Sequence, residues 1–174
     1  MPWEIDPHHT LVEFSVTHLT INIVKGRFKD VHGTIHLDTQ HPENSWVKAR
    51  IQAASIDTGV TQRDAHLRSA DFFEVVKYPT ITFESTSVRP IGPKSSIVTG
   101  NLTLHGITGT IELQTEFTGS VRDPLTESIR IGLTARGILD RRAFQMRFNQ
   151  LVGDGLPLVG NRVHIELRIE ALHV

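Results

Sequence analysis

The chain contains no cysteine. That excludes disulfides, thiolate zinc sites, iron–sulfur clusters and thiol nucleophiles. It also lacks a surplus of either charge. Across 174 residues, 18 Lys and Arg stand against 19 Asp and Glu, a formal net charge of -1. Nucleic acid is not an expected partner, because that needs a basic footprint, and neither is an anionic membrane surface. No apolar run approaches the ~20 residues of a spanning helix, so no integral membrane segment is expected. The opening Met1-Pro2-Trp3-Glu4-Ile5-Asp6 has neither the cationic start nor the apolar stretch of a secretory signal, and the expected location is the cytoplasm. No G-x-S-x-G elbow and no Gly-rich phosphate loop occur. No catalytic residue and no cofactor are assigned.

What the chain does have is alternation, the period of strands with one buried face. Ile107, Gly109, Ile111, Leu113, Thr115 and Phe117 share one face, opposite Thr108, Thr110, Glu112, Gln114, Glu116 and Thr118. Val163, Ile165, Leu167, Ile169 and Ala171 repeat the pattern, as do Ile129, Ile131, Leu133, Ala135 and Gly137. Shorter versions run over 12–18, 33–37, 47–53, 80–86 and 98–104. Breaks are expected at His32-Gly33, Pro42–Ser45, Gly92–Ser95, His105-Gly106 and Asp123-Pro124. Short links between alternating strands mean antiparallel pairing. The expected fold is all-β: one domain over 1–174, an antiparallel sandwich or barrel of about eight strands. One helical segment is expected over 61–76, with Thr61 or Asp64 as its cap, and a second short turn over 141–148.

The apolar faces carry many small residues, among them Ala49, Gly100, Gly109, Ala135 and Gly137. Beside Phe14, Phe28, Phe83 and Phe117 they suit a barrel with an apolar cavity, or ordinary large–small interdigitation. His18 continues the register of Val12, Phe14 and Val16, so it is expected to point inward near a barrel end. There it would meet a ligand head group or a backbone carbonyl. The stretch Arg63–Phe73 reads as a lid, with Leu67, Phe72 and Phe73 plugging apolar surface. The same stretch also suits a helix that simply closes one barrel end.

The ten histidines give no metal spacing. His32 and His36 lie about 13 Å apart along a strand, and His8-His9 is read as lacking a carboxylate close by. No metal site is assigned.

Four motifs in order resemble the YceI-like family over essentially the whole chain. They are Trp3–Thr10 with Val12–His18; Ser55–Gly59 with Arg63-Asp64 and His66–Phe73; Tyr78–Ser85; and Gly100–Thr108. The resemblance implies a lipocalin-like eight-stranded barrel with an elongated apolar pore, a long-chain amphiphilic lipid such as an isoprenoid or fatty acid as partner, and a homodimer. On that reading Phe14, Val16, Phe28, Phe83, Leu102 and Leu104 line the pore. Leu67, Phe72 and Phe73 close it, and His18, Arg68 or Arg141 addresses the head group. The chain departs from the family at Arg141–Met146. The common Arg-x-Asp-Phe-Gly pattern becomes Arg141-Arg142-Ala143-Phe144-Gln145, with Ala for Asp and Gln for Gly. Two rival readings are an enzyme using His18, His66 and Asp71 at one barrel mouth, and an interaction module with a filled core.

Overall fold

The alternating segments pair as antiparallel strands in the computed structural model, which describes residues 2–152 and 155–173. In chain order they are β1 (Trp3–Ile5), β2 (Leu11–His18), β3 (Asn22–Phe28), β4 (Val31–His36), β5 (Trp46–Gln52) and β6 (Ile56–Asp57). The helix α1 (Thr61–Arg68) follows. Then come β7 (Thr80–Pro90), β8 (Ser95–Leu104), β9 (Ile107–Arg122), β10 (Ile129–Asp140), β11 (Leu151–Val152), β12 (Leu156–Pro157) and β13 (Arg162–His173). The sheet order β1-β4-β5-β7-β8-β9-β10-β13 closes because β13 returns to β1.

Three of the eight staves are broken. β13 pairs with β1 through Ala171–His173 and with β2 through His164–Arg168, so β1 and β2 are two halves of one stave. β3 pairs with β2 and β4 with β1. β6 pairs with β3 and β5 with β4. The breaks at 6–10, 29–30 and 53–55 therefore adjoin one another. Ser55 sews the middle one: its Oγ accepts from the N–H groups of Lys29 and Asp30, both at 3.1 Å, and donates to the Gln52 carbonyl at 2.7 Å. The opposite wall, β7 to β10, is continuous. It bends at two register shifts, between Ser85 and Ser87 and between Gly132 and Leu133. Each inserts one residue and restores the inward face beyond it; Val88 lines the interior as a result.

Several expectations change. The break falls at 29–30, between β3 and β4, and His32-Gly33 lies inside β4. Glycine is needed there because a Cβ would lie 2.6 Å from the Lys48 carbonyl oxygen. The helix stops at Arg68 rather than reaching 76. The Ser69 hydroxyl bonds the His66 carbonyl at 2.6 Å, and the chain turns so that the Phe73 N–H donates to Leu67 and that of Val75 to Arg68. Neither Thr61 nor Asp64 caps the helix. Asp64 is buried and accepts instead from the N–H and hydroxyl of Thr58. The 141–148 turn is a 3-10 segment over Arg141–Phe144.

At one end of the barrel a charge network ties the N-terminal segment to β10 and β13. The Arg130 guanidinium donates to Asp6 at 2.7 Å, Glu170 at 2.9 Å and Asp123 at 2.9 Å. Burial works against the Asp6 charge. Hydrogen bonds from Arg130, the His9 ring and the His8 N–H outweigh it and hold its pKa at about 2. A depressed folded-state pKa stabilises above the unfolded value and loses that stabilisation as pH falls through the folded one. The barrel is therefore expected to lose about 1–2 kcal/mol, allowing for solvent screening, between roughly pH 4 and pH 2. Urea midpoints measured over that range should fall in the wild type and fall less in Asp6→Asn.

Candidate functional site

The barrel encloses an apolar cavity of about 530 Å³, within the ~300–1,000 Å³ typical of small-molecule pockets. Phe14, Val16, Phe28, Phe83, Leu102 and Leu104 line it, joined by Phe117 of β9, Leu133 of β10 and Ile165 of β13. Both readings of the small residues hold in part. Ala49 and Ala135 line the cavity. Gly26, Gly100 and Gly109 instead leave room for the rings of Phe14, Phe83 and Phe144. A Cβ at Gly100 would stand 2.5 Å from the Phe83 ring, and one at Gly109 would stand 3.0 Å from Phe144.

One end is plugged. Leu67, Phe72, Phe73 and Met146 face the cavity there, backed by the core cluster of Ala53, Ile56, Ile81 and Phe144. The plug is held by Arg141, which is only 4 % exposed. Its guanidinium donates to four carbonyls: Gly160 at 2.9 Å, Met146 and Phe148 at 2.7 Å, and Val159 at 3.4 Å. The neighbouring carboxylate, Asp140, accepts from Arg142 instead. Burial pulls the Arg141 pKa down from its ordinary value, with Asp140 opposing. The side chain is a peg that holds 146–148 and 159–160 together at the barrel end. A second tie comes from His105 in the β8–β9 turn, whose Nδ1 donates to the Phe144 carbonyl at 2.9 Å.

Two of the twelve expected site residues lie outside the lining. Arg68 turns away, and its guanidinium holds the Ala54 and Ile56 carbonyls at 3.0 and 3.2 Å. His18 sits at the end of β2, opposite Asn22 in register and bridged to Val159. Alternation predicted its direction, but the Leu19–Ile21 turn begins there and the chain leaves the wall. At the other end of the cavity the sequence reading missed a polar rim. It is formed by His36, Asp38, Thr39 and Ser45 after β4, and by Lys94, Ser95 and Ser96 at the start of β8. Only the turn signals at Pro42–Ser45 and Gly92–Ser95 pointed toward it.

The rival chemistry is not assembled. His66 Nε2 meets Asp71 Oδ2 at 2.8 Å, but both are half-exposed and neither lines the cavity, nor does His18. His9 does have a carboxylate close by: its Nδ1 lies 2.9 Å from Asp6. Asp6, His9 and Glu170 present ligand atoms within 4.8 Å of one another. The Arg130 guanidinium, bonded to both carboxylates, already supplies the cation between them.

A family model described as the YceI-like domain matches residues 3–171. A UPF0312 protein from Azotobacter vinelandii is 41% identical over 116 residues, 67% of this chain and 60% of that protein. The chain thus matches about three-fifths of that relative's length. Protein YceI from Escherichia coli is 40% identical over 139 residues, 80% of this chain and 72% of that protein. Among solved structures, the Campylobacter jejuni YceI protein superposes with a TM-score of 0.77 at 28% identity, covering 91% of this chain and 90% of that one. A polyisoprenoid binding domain from Saccharophagus degradans superposes with a TM-score of 0.73 at 16% identity, covering 99% and 98%, a likeness of fold. No helix among the described residues is long and apolar enough to cross a membrane.

Two outcomes follow from the plug. Arg141→Met keeps the length of the side chain and removes every donor, and should destabilise the barrel by about 2–3 kcal/mol in chemical denaturation. Amides around Met146 and Gly160 should lose hydrogen-exchange protection first. Gln145 holds φ +58, a left-handed conformation that favours glycine. Gln145→Gly should raise the thermal midpoint, a gain of about 0.5–1 kcal/mol.

Proposed function

The chain belongs to the YceI-like family, and we propose that it binds, stores or carries a long-chain amphiphilic lipid, isoprenoid or fatty-acid-like, inside the barrel. The observation that carries this reading is the enclosed apolar cavity. Burying one methylene contributes about 0.8 kcal/mol, while association costs roughly 4–15 kcal/mol before any gain appears. Short apolar molecules offset less of that cost than a chain of about a dozen carbons or more. The cavity is bounded by many strands and one plug, which suits a flexible chain better than a rigid disc. A relative in fold from Saccharophagus degradans is described as binding polyisoprenoids, which agrees with this choice of ligand class.

Acid–base catalysis finds no support in the geometry, since His18, His66 and Asp71 do not converge on the cavity. A filled-core interaction module is disfavoured by the same 530 Å³ of space. A homodimer, drawn from the family resemblance, belongs to the reading as well.

The test is native mass spectrometry of freshly purified protein, paired with lipid analysis of its organic extract. One stoichiometric lipid, lost on denaturing extraction, is the expected result, and the same spectrum reports the oligomer. A bare mass, an empty extract and no uptake of added palmitate or farnesol by the delipidated protein would overturn the reading.

A further inference from the structure

The two ends of the cavity differ in kind, and the difference gives the ligand a direction. This inference rests on the amphiphile reading above and adds to it an orientation and a head-group class. At the α1 end the facing side chains are Leu67, Phe72, Phe73 and Met146. The charge present there, Arg141, is buried with its guanidinium engaged by four carbonyls. A head group placed at that end would have to compete with those carbonyls and lose its water. At the opposite end the lining becomes polar and two of its members, Thr39 and Lys94, are exposed. A head group there stays hydrated while the chain behind it is buried.

The rim also has a sign. Asp38 is its carboxylate, and its oxygens accept from the N–H groups of Gln40 and His41, at 3.0 and 2.8 Å, and from the Asn44 amide. Its charge is therefore directed into its own loop. Lys94 is exposed and, among the described residues, pairs with no carboxylate, whereas Lys29 and Lys48 do. Its backbone is fixed, since its carbonyl accepts from the Phe117 N–H at 2.8 Å. An ammonium on an anchored turn at the edge of an apolar tunnel selects an anionic oxyacid.

We propose that the amphiphile lies with its tail against the Phe72–Phe73 plug and an anionic head group, carboxylate or phosphate, at the rim beside Lys94. Alcohol and hydrocarbon ends of the same length gain the tail burial and forgo the charge contact.

Binding of palmitate, hexadecyl phosphate and hexadecanol to delipidated protein tests the head group. At low ionic strength the two acids should bind about three- to fivefold more tightly than the alcohol, as a solvent-exposed ion pair allows. Lys94→Gln should abolish that preference, bringing both acids to the affinity that the same variant shows for hexadecanol. Equal binding of acid and alcohol, or a preference that survives in Lys94→Gln, overturns the head-group assignment while leaving the amphiphile reading standing. A preference for one acid over the other identifies carboxylate or phosphate as the source. Uptake of none of the three overturns both readings together.

Intrinsic fluorescence tests the direction independently. The chain has two tryptophans. Trp46 lines the cavity near the rim, and Trp3 pairs with Ile35 at the same end. Palmitate brominated beside its carboxyl should quench them more strongly than palmitate brominated at its tail. The reverse order would place the head group at the plug and overturn the orientation.

Discussion

The barrel exists because β13 finds hydrogen-bonding partners along both edges for nearly its whole length. On one side it pairs with β10 from Arg162 to Leu172. On the other it pairs first with β2 and then with β1. A sheet with that closure has no long open edge. Its inward residues must then share one interior, so Val163, Ile165, Leu167 and Ile169 line a common space with Val12, Phe28, Phe83 and Leu102. Closure also imposes curvature, which is met by one-residue insertions in one wall and by outright breaks in the other.

Much of this was legible because a two-residue period survives in sequence wherever one face meets water. The long staves β9, β10 and β13 show it without interruption. The shorter elements were lost for physical reasons. β1 is three residues long, and β6 two, so neither offers enough positions for a period. The β2–β3 hairpin hides because Leu19 and Thr20 adopt positive φ, 54 and 60, without the Gly or Asn that normally announces such a turn. His105-Gly106 makes an equivalent turn with φ 53 and 72, and its glycine gave it away. The helix was overextended because Leu67, Ala70 and Phe73 keep a helical spacing. Ser69 takes over the terminal carbonyl and tertiary packing of the two phenylalanines decides the rest.

The site was legible to the degree that it is wall. Phe14, Phe83 and Leu104 line the cavity for the same reason that they alternate. Polar participants do not obey that logic. Arg141, Arg68 and His18 are all basic residues near one barrel end, and sequence could not separate a cation facing the cavity from one facing carbonyls. The separation comes from where the loop carbonyls gather: those at 146, 148, 159 and 160 surround Arg141. The polar rim was invisible as a site because its residues belong to two turns distant in sequence, joined only when β5 pairs with β7 and β7 with β8.

The three adjoining breaks at 6–10, 29–30 and 53–55 give the tube a crease. Along that line the regular ladder gives way to single joins: the Ser55 hydroxyl, the bonds from the Lys29 N–H to the Ser55 carbonyl and from the Gln52 N–H to the Asp30 carbonyl, and the bond from the Asp6 N–H to the Glu170 carbonyl. The facing wall has no such line and can only flex as a sheet. A tube creased on one side and continuous on the other would widen by folding along its seam rather than by swelling evenly. Occupants of different girth, straight or methyl-branched, would be admitted by the same seam with the stiff wall as their common reference.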